Sequence, residues 1–99
     1  MKKLTGTQRK YLRGIAHSLR PNILIGYEGI SAAVIKTIEK ALDDHELIKV
    51  KFNKFKEEKE KYCTDIESAT TSEMVGLIGN VAIFYKEQVD PEKRKIKLS

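Results

Sequence analysis

Cysteine is almost absent from this sequence: Cys63 stands alone. That excludes an internal disulfide and any multi-cysteine zinc site, and it suits a reducing compartment. Long apolar runs are missing too. Met1-Lys2-Lys3-Leu4 begins like a signal peptide, but Thr5 to Arg13 contains no apolar segment behind it, and no run approaches membrane-spanning length. The expectation is a cytoplasmic chain that is neither targeted nor inserted. No internal repeat is visible, and 99 residues suit one core without a second domain.

Groupings that carry catalysis are lacking as well. His17 and His45 lie on different expected elements, with no nucleophile or metal-ligand spacing around them. Cys63 falls on an apolar stripe, and Glu57, Glu58 and Glu60 alternate with lysines as on a solvated helix. No Lys-Ser/Thr pair follows Gly29, which excludes a nucleotide-hydrolysing P-loop, and the dinucleotide fingerprint is absent. The chain is therefore expected to be no enzyme and to need no metal and no cofactor.

What the sequence does hold is apolar material and positive charge. It is 40% hydrophobic and 33% charged, enough for a core and too apolar for a wholly disordered chain. Lys and Arg number 19 against 14 Asp and Glu, a formal +5. Polyanions are the natural class of partner, although a modest positive excess also serves solubility.

Leu12, Ile15, Ala16 and Leu19 repeat at helical spacing, predicting a first helix over Thr7 to Leu19, with Thr5 or Thr7 as cap and Pro21 closing it. Asn22 to Ile25 reads as a short strand, followed by the turn Gly26-Tyr27-Glu28-Gly29. Ser31 can cap a second helix on which Val34, Ile35, Ile38, Ala41 and Leu42 form one stripe, ending near His45. Leu47 to Phe52 alternates, with Ile48, Val50 and Phe52 on one face and Lys49 and Lys51 on the other. Asn53 is the expected cap of a third helix bearing Tyr62, Cys63, Ile66 and Ala69. Met74 to Ile78 and Val81 to Lys86 flank Gly79-Asn80, a two-residue hairpin loop. The expected fold class is α/β, in the order α-β-α-β-α-β-β, with a mixed four-stranded sheet packed with three helices. Residues 1–86 form this domain, and residues 87–99 read as a mobile basic tail.

Two constellations point toward a ligand. In the first, Gly26 and Gly29 frame a loop just before a helix N-terminus. Glycines there remove Cβ atoms that would hold a phosphodiester away, and the helix offers free N–H groups and the positive end of its dipole. A backbone-phosphate clamp of GXXG type is one interpretation; a βα turn needing glycine geometry is the other, and spacing alone leaves both open. The inner residues are Tyr27 and Glu28. A carboxylate repels phosphates, while Tyr27 can stack on a base or donate its hydroxyl. The loop is thus expected to position more than it attracts.

In the second, at about 100° per residue, Arg9, Lys10, Arg13, His17 and Arg20 fall on one flank of the first helix. That helix carries no acid, which favours a polyanion-binding surface over a generic solvated face. Lys49 and Lys51 add two cations on a strand face, for polyanion contact or for simple protection of an exposed sheet.

With these pieces in place, the chain resembles the CRM domain (chloroplast RNA splicing and ribosome maturation) in its bacterial stand-alone YhbY-like form, from about Leu4 to Lys86. The resemblance is carried by Leu12-Arg13-Gly14-Ile15-Ala16-His17, Leu24-Ile25-Gly26-Tyr27-Glu28-Gly29, Glu46-Leu47-Ile48-Lys49-Val50-Lys51 and Ile78-Gly79-Asn80-Val81-Ala82-Ile83-Phe84-Tyr85. It implies a fold similar to the C-terminal domain of bacterial initiation factor three, and RNA binding. It further implies association with precursors of the large ribosomal subunit, as in bacterial members, whereas plant organelle relatives act in intron splicing. By the same resemblance, Gly26 to Gly29 is the RNA-contacting GXXG element, with the helix-one cations beside it. The expected function is a non-enzymatic binder of large-subunit ribosomal RNA in pre-ribosomal particles, with ribosomal proteins as further partners. The alternative is an adaptor docking on a ribosomal protein or assembly factor.

Overall fold

Thr5 opens the first helix with a reciprocal cap: its hydroxyl accepts from the Gln8 N–H at 3.1 Å, and the Gln8 side chain accepts from the Thr5 N–H at 3.0 Å. The computed structural model describes residues 3–98, so Met1, Lys2 and Ser99, at the two ends of the basic start and tail, lie outside the described residues. The elements are α1 (Gly6–Ala16), β1 (Ile23–Ile25), α2 (Ala32–His45), β2 (Leu47–Phe52), α3 (Lys59–Thr70), β3 (Glu73–Ile78), β4 (Val81–Tyr85) and a 3-10 turn (Pro91–Lys93). The expected order of helices and strands is the observed one.

The sheet runs β1-β2-β4-β3, with β1 parallel to β2 and the other neighbours antiparallel. Alternation along β2 and β4 divides it between two cores. Ile48, Val50, Phe52, Ala82 and Phe84 pack with Ile38 and Leu42 of α2 and with Cys63 and Ile66 of α3. Leu47, Val75, Ile83 and Tyr85 face the other way, against Leu12 and Ala16 of α1. The sheet is thus sandwiched, with α1 alone on one side and α2 and α3 on the other.

Two helix ends depart from expectation. The first helix stops at Ala16, three residues early, where the Leu19 N–H turns back to the Ala16 carbonyl and the Ser18 hydroxyl donates to that of Ile15. Pro21 disfavours helical geometry in the residue before it, and Leu19 ends 38% exposed. The third helix starts at Lys59, because Asn53 does not cap it: the N–H groups of Asn53 and Lys54 both donate to the Ile25 carbonyl, at 3.0 and 3.2 Å. Ala69, expected in the core, is exposed, and the next residue, Thr70, is buried instead.

The tail also differs from the mobile segment expected. Glu46, fully buried and held at φ +63°, ends α2. Its carboxylate accepts from the N–H groups of Gln88, Lys95 and Ile96, at 2.7, 2.6 and 3.0 Å. Ile96 and Leu98 pack against the α1-side core. Residues 87–98 are therefore docked on the domain, because a buried carboxylate needs donors that this segment supplies.

Candidate nucleic-acid interface

The parallel pairing of β1 and β2 brings the loops that follow them to one end of the sheet. The first is the glycine-framed turn, closed by the Gly29 N–H donating to the Gly26 carbonyl at 3.1 Å. The two glycines differ in kind. Gly29 sits at φ +62°, and a Cβ there would lie 3.4 Å from the Phe55 ring, so the fold itself calls for glycine. Gly26 has no such backbone angle, and a Cβ there would meet nothing within 4 Å. Neither conformation nor internal packing requires glycine at 26. Two residues after Gly29, Ser31 caps α2 by accepting from the Val34 N–H at 3.1 Å, and no acid occupies the first helical turn.

The second loop, after β2, supplies residues expected in helix three. Lys54 holds its ammonium 4.5 Å from the centroid of the Tyr27 ring, which is itself 84% exposed. Phe55, at φ +58°, packs on Gly29 and meets Tyr62 of α3 edge-on, with ring centroids 5.5 Å apart. The loop is thereby braced from below while Tyr27 stays open to solvent. No local spacing marks Lys54; the signal available was topological, since loops following adjacent parallel strands share one end of a sheet.

The expected cations of α1 divide into two sets. Arg9 is committed internally: it donates to Glu73 Oε2 and to the Leu4 carbonyl, both at 2.8 Å. Arg13 donates to the Val75 carbonyl at 2.8 Å, and its stem lies so close over Gly76 that a Cβ there would come within 2.8 Å of it. Lys10, His17 and Arg20 are exposed. Glu73 is level with Tyr85 and Leu47, whereas the glycine loop follows Ile25, level with Phe52. Five strand residues, about 16 Å, separate those levels. Arg9 therefore does not lie beside the loop, a correction to the expected arrangement; α1 crosses the sheet at the far end. Lys49 is partly spent as well, donating to the Leu19 carbonyl at 2.9 Å, while Lys51 is exposed. Glu28 is exposed.

The strongly shifted titratable groups lie in the cores, away from this surface. Burial pushes the Cys63 thiol up to about 11, with Glu67 and Glu60 adding to the effect. Burial likewise raises the Tyr85 phenol to about 12, helped by Glu46 and Glu87 and opposed by Arg94. A thiol so disposed is a core residue, not a nucleophile. Among the described residues, no group of His, Cys, Asp and Glu could hold a metal ion, and no helix is long and apolar enough to cross a membrane.

The CRS1 / YhbY (CRM) domain pattern matches residues 4–86. The chain belongs to the CRM domain family. A Haemophilus influenzae protein named "RNA-binding protein" is 35% identical over 99 residues, covering 99% of this chain and 97% of its own. The Bacillus subtilis "Probable RNA-binding protein YqeI" is 36% identical over 96 residues, covering 96% of this chain and 98% of its own. Among solved structures, the solution structure of a Staphylococcus aureus protein superimposes with a TM-score of 0.78 at 36% identity, over 96% of this chain and all of that one. The three helices and mixed sheet described above are thus the CRM fold.

Proposed function

We propose that this CRM protein binds RNA without catalysing a reaction on it, and that its target is large-subunit ribosomal RNA in cytoplasmic pre-ribosomal particles. The observation that carries this is the glycine loop: Gly26 keeps its surroundings open for no reason internal to the fold, beside an exposed Tyr27 ring with Lys54 over it. A phosphodiester can approach the loop backbone while a base lies on the tyrosine, and Lys54 offsets the repulsion from Glu28. The names of the Haemophilus and Bacillus relatives support the same partner class.

The cations proposed to meet phosphates are Lys51 and Lys54 near the loop, with a second, more distant set made of Lys10 on α1 and of His17 and Arg20 in the segment that follows it. Arg9, Arg13 and Lys49 act chiefly by holding that surface in place, given their internal partners. With roughly five phosphates neutralised on a single strand, the logarithm of affinity falls with the logarithm of salt at a slope of about −3.5.

Ultraviolet crosslinking in cells followed by sequencing of the attached RNA tests the target. Enrichment of precursor large-subunit ribosomal RNA is expected. A crosslink profile that follows cellular RNA abundance, with no ribosomal precursor enriched, would contradict it.

A further inference from the structure

The sheet face beneath α1 is covered at one end only. Leu4, Leu12, Ala16, Ile96 and Leu98 close over Leu47, Val75, Ile83 and Tyr85. The cover ends where Arg13 crosses Gly76 and Lys49 reaches the Leu19 carbonyl. One more row follows: Leu24 pairs with Lys51, Lys51 with Val81, and Val81 with Ile78. Register partners share a face, and the residues alternating with these point into the α2/α3 core. Leu24 is 59% exposed and Ile78 66%, Lys51 is exposed, and Val81 is half-buried.

Single exposed aliphatic residues are ordinary on a protein surface. These are aligned across all four strands, over about 14 Å, with a lysine among them. The row starts two residues before Gly26 and ends at the Gly79-Asn80 turn, whose Asn80 carbonyl accepts from the Phe52 N–H at 2.8 Å. It therefore lies at the end of the sheet from which the loops bearing Tyr27 and Lys54 leave.

We propose that this row seats unpaired bases of an RNA strand whose backbone passes the glycine loop, so that the protein prefers single-stranded to duplex RNA; this rests on the RNA-binding function proposed above. Leu24, Val81 and Ile78 give bases an apolar surface, and Lys51 and Lys54 meet the flanking phosphates. No carboxylate lies in this row or in the row behind it, formed by Lys49, Ile83 and Gly76. Bases stacked inside an A-form duplex cannot reach a flat apolar row, whereas splayed bases can.

The test measures binding of wild type and of Leu24→Ser/Ile78→Ser to three probes: a mixed-sequence single strand, the same strand carrying abasic positions, and a duplex. Wild type should prefer the intact single strand. The double variant should lose about tenfold on that strand, with unchanged salt slope, and little on the duplex. Both positions are exposed, so the melting temperature should hold; the abasic series on wild type gives the same readout without any substitution. Equal affinity of wild type and double variant for the single strand, or no loss on abasic strands, overturns the row while leaving loop binding intact. Absence of wild-type binding to every probe overturns the function on which it rests. Retained RNA affinity with loss of a ribonuclease-resistant protein partner overturns it in favour of protein docking.

Discussion

Lys54 and Tyr27 lie 27 positions apart in sequence, yet the lysine ammonium stands 4.5 Å from the centroid of the tyrosine ring. Parallel pairing of Ile25 with Phe52 places them together, and the Ile25 carbonyl, accepting from both Asn53 and Lys54, holds them there. Tyr27→Ala should weaken RNA binding by about 1–3 kcal/mol, the usual contribution of one stacked base. Lys54→Ala should chiefly flatten the salt dependence, by about 0.7 in slope per lost phosphate contact. Anisotropy titrations at several salt concentrations check both, and melting temperatures should not move.

Arg9 and Arg13 should behave as stabilising residues. Arg9→Glu sets two carboxylates against each other at Glu73, and Gly76→Ala drives the Arg13 stem away from the Val75 carbonyl. Each should lower stability by about 1 kcal/mol, since a part-buried polar group loses its partner. Lys10→Glu and Arg20→Glu, at exposed positions, should leave stability within about 0.5 kcal/mol and reduce RNA affinity. Urea unfolding of the four variants separates the two classes.

Glu46 anchors the C-terminal segment through three N–H donors. Glu46→Ala should cost about 1–3 kcal/mol, since three part-buried N–H donors lose their acceptor together. It should also release residues 87–98 from hydrogen-exchange protection while the β2–β4 ladder stays protected. Glu46→Gly removes the same carboxylate but relieves the positive φ, so it should be the less damaging of the two.

Alkaline pH should destabilise the fold. Cys63 and Tyr85 keep their protons to about 11 and 12 when folded, against 9.0 and 10.0 as ordinary values. The unfolded chain therefore loses these protons first. Stability is fully present below pH 9, and it falls as pH rises through those folded values. Tyr85→Phe should remove the tyrosine's share of this loss, which develops between pH 10.0 and about 12, and leave that of Cys63. It should cost little at neutral pH, because the buried Tyr85 hydroxyl has no hydrogen-bond partner among the described residues. Denaturant midpoints measured across the alkaline range check the sign.

The periodic elements were legible because their patterns are local. Ser31 with its apolar stripe, the alternation from Leu47 to Phe52 and the Gly79-Asn80 turn each state their structure within a few residues. Features that depend on distant partners were not. Asn53 resembles a helix cap until the Ile25 carbonyl claims its N–H. The tail reads as solvated until Glu46 gathers three of its N–H groups. Helical geometry placed the cations from Arg9 to Arg20 on one flank, but the helix ends at Ala16, before His17 and Arg20, and the periodicity carries no information that Glu73 and the Val75 carbonyl lie opposite Arg9 and Arg13. The glycine pair was legible as a loop; only the folded backbone distinguishes Gly29, which the turn requires, from Gly26, which it does not.

That distinction bears most directly on the central claim. Gly26→Val adds a side chain where a Cβ meets nothing in the protein, so folding should be unaffected, while a phosphodiester at the loop would be displaced. The decisive measurement is the affinity of this variant for ribosomal RNA beside its melting temperature. A loss of tenfold or more, about 1.4 kcal/mol, with an unchanged melting temperature is the predicted result. Wild-type affinity in a folded Gly26→Val protein would contradict the account.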